Sequence, residues 1–591
     1  MFCGASFGLH RFFLEMIVLK QMMNYLKPYW KGILFSSFAI LISTACDLLL
    51  PTIMSDVLNQ GVHGSDLEYI LICCGRMLAV ALIGLCSVLL GTWFSTKVVA
   101  GYCADLRREV FRKVNLMTFE EFGKLGTAAL VTRATHDVET VSWVASELSG
   151  TVMTIPVLFF GGVVLSMQKD VMLSLMLLAF VPLIVVIVVL VGKKILPLWD
   201  KSDEYIDRQN DLMRQRLRGI RVIRAFDSET QEHERIAEAT RVMAENIIKS
   251  NVSMGLISPV ATFLLNAAAV LIVYFGSIQI QNGSGLTGGD VFAIVQYVAL
   301  VSSGVIMGAF SLIMFPHAKV AAGRIGQVLN AEGMADPIQR QDLTLSGDVR
   351  FENVCFMYDG AAEYALKDVS LDIKKGERIA VIGGTGAGKS TVVSMLLGFR
   401  MPTQGTVYLD GIPTTRLSRH TMRQNISCVL QYSSIYSGTI RENVKMGAPG
   451  ADEEQLRKAL ADAQALEFVD GFSDGLDHEL KQSGKNLSGG QKQRVSIGRA
   501  LLKNASIYVF DDSFSALDFL TEYKLRKALE RRTADRTQIV ITQRVSSAMH
   551  ADRIYVLDKG TVVGSGTHDQ LLQSCSVYRQ IHASQTGGVR S

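Results

Sequence analysis

Six apolar stretches before Ala321, each about the 20 residues a helix needs to cross a bilayer, restrict the folds open to this chain more than any other feature. They run over Lys31–Ser55, Leu67–Ser95, Val141–Met167, Val171–Val191, Val252–Ile280 and Val291–Phe315. Beyond Ser346 the residues are those of an ordinary soluble domain. A hydrophobic content of 49% against 19% charged residues exceeds what one soluble core of 591 residues would use, so two domains are the minimum.

Charge sorts the segments between the stretches. Arg107, Arg108, Arg112, Lys113, Lys124 and Arg133 follow the second, and Lys193, Lys194, Arg214, Arg216, Arg218, Arg221 and Arg224 follow the fourth. The loops near Asp56–Asp66 and Gln281–Asp290 contain neither Lys nor Arg. The positive-inside rule therefore places the N-terminus, both long loops and the C-terminal domain in the cytoplasm. The net charge of +4 is accounted for by these juxtamembrane clusters, so membrane lipid, and not nucleic acid, is the expected partner of the basic residues. Phe12–Leu19 is too short to span and has no small-residue cleavage site after it, which leaves residues 1–24 as an interfacial helix or extension. The nine cysteines have no metal-ligand spacing and read as reduced structural thiols.

The C-terminal domain carries a phosphate-binding loop. Arg378–Ile382 is a β-type run, Gly383, Gly384, Thr385, Gly386, Ala387, Gly388, Lys389 and Ser390 form the glycine-rich turn, and Thr391–Leu397 suits a helix. In that context backbone N–H groups close around the phosphates of ATP, Lys389 adds a mobile cation, and the Ser390 hydroxyl can ligate Mg²⁺. Ser506–Phe510 is apolar throughout its interior, as a parallel strand covered on both faces must be, and delivers Asp511 to the sheet edge as a second Mg²⁺ contact.

The phosphate loop, Leu487-Ser488-Gly489-Gly490-Gln491, the Asp511 strand and Ser515-Ala516-Leu517-Asp518, in that order, resemble an ATP-binding cassette (ABC) domain. Six spans ahead of it resemble an exporter half-transporter. The resemblance implies an α-helical six-span transmembrane domain followed by an α/β P-loop nucleotide-binding domain, the ABC exporter fold. It divides the chain into an extension at 1–24, a transmembrane domain with coupling loops at 25–321, a linker at 322–345 and the cassette at 346–591. It also implies that two half-transporters sandwich two ATP molecules. Tyr358 would stack on adenine, Thr391 would follow Ser390 at the phosphates, and Gln431 would sense the γ-phosphate and join Ser390 and Asp511 at Mg²⁺. Ser488, Gly489, Gly490 and Gln491, at a helix start with free N–H groups, would serve the partner's ATP across the interface.

Two residues depart from that pattern. Asp512 stands where the family offers a glutamate to polarise water, and Gln543 where it offers histidine. One methylene withdraws the carboxylate by about 1.5 Å, and misplacement near 1 Å costs on the order of 10²-fold in rate. Both departures surround this chain's own phosphate loop, while its Leu487–Gln491 segment is intact. The expectation is one subunit of a heterodimer whose own site is degenerate, with a homodimer in which Asp512 is a slower base as the alternative. Gln482 is a third departure, of undefined consequence. The expected activity is ATP-driven export of apolar or amphipathic small molecules, multidrug or lipid-like, across a bacterial plasma membrane; a peptide exporter and a regulatory ATP-binding subunit are the alternatives.

Three further expectations concern the spans. Thr127–Asp137 and Gly219–Phe226 resemble coupling segments that reach the cassettes. Asp47 and Arg76, each costly in a bilayer, lie at similar depth and are expected to pair. Met307, Phe310, Met314 and Phe315 suit a cargo-lining surface of adaptable apolar groups.

Overall fold

The computed structural model describes residues 22–62, 64–331, 333 and 343–586. Residues 1–21 of the expected extension and 334–342 of the expected linker lie outside the described residues, as do the side chains of Phe310 and Met314. Two compact units are present: one takes the chain to Met117 and resumes over Phe122–Glu332, and the other comprises Thr118–Glu121 and Gly333–Ser591.

A bilayer core offers no water to bond the backbone, so an apolar segment crossing it satisfies its N–H and C=O groups internally as a helix. Among its described residues the first unit has six helices long and apolar enough to cross a membrane, over Met22–Val62, Leu67–Leu116, Thr127–Lys169, Val171–Ile195, Glu229–Gln281 and Gly288–Gly308. On the second, Leu71, Leu78, Leu82 and Leu89 recur at helical spacing as an exposed stripe, the face a lipid-contacting helix presents. The charged residues after the second and fourth stretches prolong those helices. Leu67–Leu116 has 50 residues and Val171–Ala225 has 55, about 75 and 80 Å at 1.5 Å per residue, more than twice the ~30 Å of hydrocarbon. Val171–Ala225 turns at Phe226–Ser228 and returns as Glu229–Gly255, packed beside it.

Small residues set the register of the first two spans. The Ser36 hydroxyl donates to Gly91 O at 2.7 Å, and Cys46 packs where a Cβ on Gly84 would be 3.3 Å away. Asp47 is thereby level with about position 83, and Arg76 lies some seven residues, roughly 10 Å, further along. The expected Asp47–Arg76 pair consequently does not form; both side chains are exposed.

The span ends beside the Asp56–Asp66 and Gln281–Asp290 loops carry a different pair. Lys169 Nζ is 2.9 Å from Asp290 Oδ1, which also accepts from Ser55 Oγ at 2.9 Å, while Asn59 Oδ1 accepts the Gly289 N–H at 3.0 Å. Glu147, a carboxylate within the third span that the sequence reading passed over, accepts from Ser311 Oγ at 2.8 Å. Thr127–Asp137 belongs to the first unit, because Leu130 and Asp137 are buried and Arg324 lies 3.6 Å from Asp137. Thr118–Glu121, earlier in the same loop region, groups with the second unit. In the other long loop, Val222 and Phe226 are exposed.

The second unit is built on two sheets. Its strands are β1 (Val349–Phe356), β2 (Leu366–Ile373), β3 (Arg378–Gly383), β4 (Gln404–Leu409), β5 (Ile412–Pro413) and β6 (Ile426–Val429). They continue as β7 (Gly438–Thr439), β8 (Glu479–Leu480), β9 (Ile507–Asp511), β10 (Thr537–Thr542), β11 (Arg553–Asp558) and β12 (Thr561–Gly566). An antiparallel sheet runs β2-β1-β4-β5, and a six-stranded sheet runs β12-β11-β3-β10-β9-β6, parallel except for β12. β7 and β8 pair separately. Phe351, Val381, Leu396 and Val509 help form the core between the sheets, and Tyr508, Phe510, Val495 and Leu525 help form a second core toward the helices.

Lys169 and Asp290 are both about one-fifth exposed or less, and breaking a pair at that depth leaves one uncompensated charge. Asp290→Ala is expected to destabilise the membrane unit by about 1–3 kcal/mol, with Lys169→Met/Asp290→Leu recovering most of the loss in thermal unfolding of the lipid-reconstituted protein.

Candidate nucleotide site

Parallel pairing brings the chemistry-bearing loops to one sheet edge. Gly383 at the end of β3 pairs with Leu557, Ile382 with Thr542 of β10, Ile541 with Asp511 of β9, and Phe510 with Val429 of β6. The phosphate loop, Gln543, Asp512 and Gln431 therefore all leave the sheet from the carboxyl ends of adjacent strands, where α/β sheets place their ligands.

The loop Gly384–Gly388 joins β3 to the helix Lys389–Leu396. Gly388 has φ +99°, and a Cβ there would lie 2.8 Å from Ala365 O, so only glycine closes the loop onto its neighbour. Gly384 and Gly386 are different: a Cβ on either would meet nothing within 4 Å. Both leave open space beside the loop. Lys389 Nζ donates to Gly383 O at 2.8 Å and Gly384 O at 2.7 Å, lying across the loop. Burial pushes its pKa below the ordinary lysine value, while Asp512 and Asp511 pull the other way.

Asp511 is buried at the end of β9. Burial pushes its carboxyl above the usual range, and repulsion from Asp512 adds to this, against Lys389 and a hydrogen bond from Ser390. Asp512 follows in a left-handed turn, φ +47°, with its N–H bonded to Ile541 O at 2.8 Å. Its carboxyl is also raised by burial, opposed by Arg544 and then Lys389. Gln543 Oε1 accepts from Thr385 Oγ1 of the phosphate loop at 3.4 Å, and the Gln543 carbonyl accepts from Gln585 at 2.6 Å. Gln431 is exposed two residues beyond β6.

Tyr358 stands after β1 with its hydroxyl 3.0 Å from Thr391 Oγ1, one turn into the phosphate-loop helix. Phe356 packs edge-on to its ring at 4.9 Å, and the Arg400 guanidinium lies over it at 4.6 Å. Ser488 caps the helix Gly489–Leu502 in a capping box: Gln491 N–H donates to Ser488 Oγ at 3.3 Å and Ser488 N–H to Gln491 Oε1 at 2.9 Å. Gly490 lies against Ala516 O, where a Cβ would be 3.1 Å away. None of the described contacts of Ser488, Gly489, Gly490 or Gln491 is to the phosphate loop. Asp518 caps the next helix, Phe519–Arg532.

The donor set fits Mg²⁺ only together with a phosphate ligand. Among the described residues no group of three or more His, Cys, Asp or Glu side chains could hold a metal alone. One hydroxyl and one buried carboxylate leave most of the coordination sphere to phosphate oxygens and water, the pattern Mg²⁺ favours.

Residues 33–305 match the family profile described as the ABC transporter transmembrane region, and 366–515 the one described as ABC transporter. An uncharacterized ABC transporter ATP-binding protein of Mycobacterium tuberculosis is 32% identical over 575 residues, covering 96% of this chain and 98% of that protein. This chain belongs to the ABC transporter family. The transporter is also 31% identical over 573 residues to the uncharacterized ABC transporter ATP-binding protein YfiB of Bacillus subtilis, with 96% and 99% of the two chains covered. It is 28% identical over 566 residues to an ATP-dependent lipid A-core flippase of Albidiferax ferrireducens, with 95% and 97% covered. In fold it matches a bacterial Atm1-family ABC exporter solved with ATP bound, at TM-score 0.80 and 23% identity over 96% of this chain and 99% of that one. One membrane region ahead of one cassette makes the transporter a half-transporter with the ABC exporter fold.

Sequence reasoning missed Arg400 over Tyr358 and Arg544 beside Asp512. Neither belongs to a motif, and both reach the site through the fold.

Gly388→Ala is expected to destabilise the transporter by about 1–3 kcal/mol through backbone strain, while Gly384→Ala stays within about 0.5 kcal/mol in chemical denaturation. The raised Asp511 carboxyl binds its proton more tightly folded than unfolded, so its burial costs stability as pH rises from the unfolded pKa through the folded one. Asp511→Asn is expected to raise the melting temperature of the nucleotide-free transporter at pH 7. That gain shrinks as the pH falls through the raised folded pKa and is gone below the unfolded value of about 4.

Proposed function

We propose that this transporter is one half of an ATP-driven exporter, paired with a different half-transporter, and that the site on its own phosphate loop holds ATP better than it cleaves it. In this reading Tyr358 stacks adenine. The N–H groups of Gly384, Thr385, Gly386, Ala387 and Gly388, together with Lys389, Ser390 and Thr391, hold the phosphates. Ser390, Gln431 and Asp511 hold Mg²⁺, which neutralises charge on the phosphate oxygens when bound. Ser488, Gly489, Gly490 and Gln491 complete the partner's site. Nucleotide binding closes the cassettes, the spans switch access, and hydrolysis at the partner's phosphate loop resets the cycle.

One observation carries the proposal: Asp512 follows Asp511 at the sheet edge with a side chain one methylene shorter than a glutamate. Its N–H is bonded to Ile541 O in a left-handed turn, an anchor that supports the reading that the carboxylate does not advance to recover the reach of a glutamate. Burial raises its basicity, which works in the opposite direction. Reach decides, because a displacement near 1 Å costs on the order of 10²-fold in rate. Gln543 can accept from or donate to the loop, yet carries no titratable proton.

The exposed apolar spans and the relationship to a lipid A-core flippase support apolar, amphipathic or lipid-like cargo. The basic loops and the bacterial relatives support a bacterial plasma membrane with the cassette in the cytoplasm.

The purified chain in lipid is expected to turn ATP over slowly, and Asp512→Glu/Gln543→His to raise the rate 10-fold or more, on the scale set by catalytic misplacement. Brisk turnover by the unmodified chain alone, unimproved by the double substitution, would overturn the degenerate-site reading in favour of a homodimer with Asp512 as base.

A further inference from the structure

The phosphate-loop helix has two functional ends. Its first turn begins at Lys389, and Thr391 bonds Tyr358. Its last turn closes with Gly398 at φ +65°: the Gly398 N–H donates to Met395 O at 3.0 Å and the Phe399 N–H to Ser394 O at 2.8 Å. That left-handed stop, of the Schellman type, fixes the direction in which the next side chains leave the helix. Phe399 meets Phe119 with ring centroids 4.6 Å apart. Arg400 does two things at once. Its guanidinium lies 4.6 Å from the Tyr358 ring centroid, and its Nη1 donates to Glu120 Oε1 at 3.2 Å. Phe119 and Glu120 belong to Thr118–Glu121, which groups with this unit although the chain enters and leaves it through the helical unit.

We propose that Arg400 is a positioning residue that ties the adenine end of this chain's nucleotide site to the segment Thr118–Glu121. This rests on the reading of Tyr358 as the adenine platform. Arg400 occupies one face of the Tyr358 ring, and the tyrosine remains 37% exposed for a base to stack. A cation over the ring and a base against it share one π-system, so each constrains the ring's orientation for the other. Glu120 holds the guanidinium in place with a charge-assisted bond at a site where Arg400 is only one-fifth exposed. Adenine binding and the position of Glu120 are then linked, and linkage is reciprocal.

The test uses the full chain in lipid nanodiscs, with equilibrium binding of ATP and of tripolyphosphate, which has the phosphates but no base. Arg400→Ala is expected to weaken ATP binding about 3- to 10-fold and to leave tripolyphosphate binding unchanged. Glu120→Gln is expected to weaken ATP binding about 3-fold when Arg400 is present and to have no further effect on Arg400→Ala. At saturating ATP, hydrogen exchange in Thr118–Glu121 is expected to slow in the unmodified chain and not in Arg400→Ala. Equal loss of ATP and tripolyphosphate binding in Arg400→Ala would mark a merely structural role and overturn the proposal. So would additive effects of Glu120→Gln and Arg400→Ala, or an ATP-dependent exchange change that survives Arg400→Ala. Tyr358→Ala separates the two readings. If it leaves the preference for ATP over tripolyphosphate intact, the adenine platform itself is misassigned; if it abolishes that preference while Arg400→Ala and Glu120→Gln do not, only the link through Arg400 fails.

Discussion

Backbone hydrogen bonds between four parallel strands hold the nucleotide edge of this transporter together. β3, β10, β9 and β6 are bonded side by side, so Gly383, Thr542, Asp511 and Val429 end near one line. The groups proposed to meet phosphate or Mg²⁺ at this chain's own site lie at these strand ends or in the segments that leave them. Because the strands are buried on both faces, a slip of one residue in register would expose apolar side chains and move Asp511 away from Lys389. The site's geometry is thus stabilised by the same burial that stabilises the fold.

That burial has an electrostatic consequence. Two adjacent carboxyls, Asp511 and Asp512, sit with one buried lysine at the sheet edge, and desolvation opposes all three charges. Lys389 meanwhile satisfies itself on loop carbonyls. A ligand bringing phosphate and a divalent cation would relieve both strains, giving the amine an anion and the carboxylates a countercharge.

The membrane unit follows a different logic. Its helices meet through small residues, with Gly84 and Gly91 admitting Cys46 and the backbone near Ser36. Such close contacts fix which residues of the first two spans share a level, and that is why Asp47 and Arg76 stay apart. The first helix continues past Ser55 to Val62 while the second begins at Leu67, so the two residues do not lie at similar depth.

The sequence by itself determined the six spans, the order of the two domains and the identity of the phosphate loop, since bilayer thickness and phosphate chemistry each demand a contiguous pattern of residues. It also exposed Asp512 and Gln543, which stand out only against the motifs around them. Tertiary structure alone decided the rest: the left-handed backbone that pins Asp512, the level of Asp47 against its neighbours, and the meeting of Tyr358, Arg400 and Glu120. These depend on side chains far apart in sequence, Glu120 and Arg400 above all, and no local spacing rule encodes a contact that only packing and chain direction create.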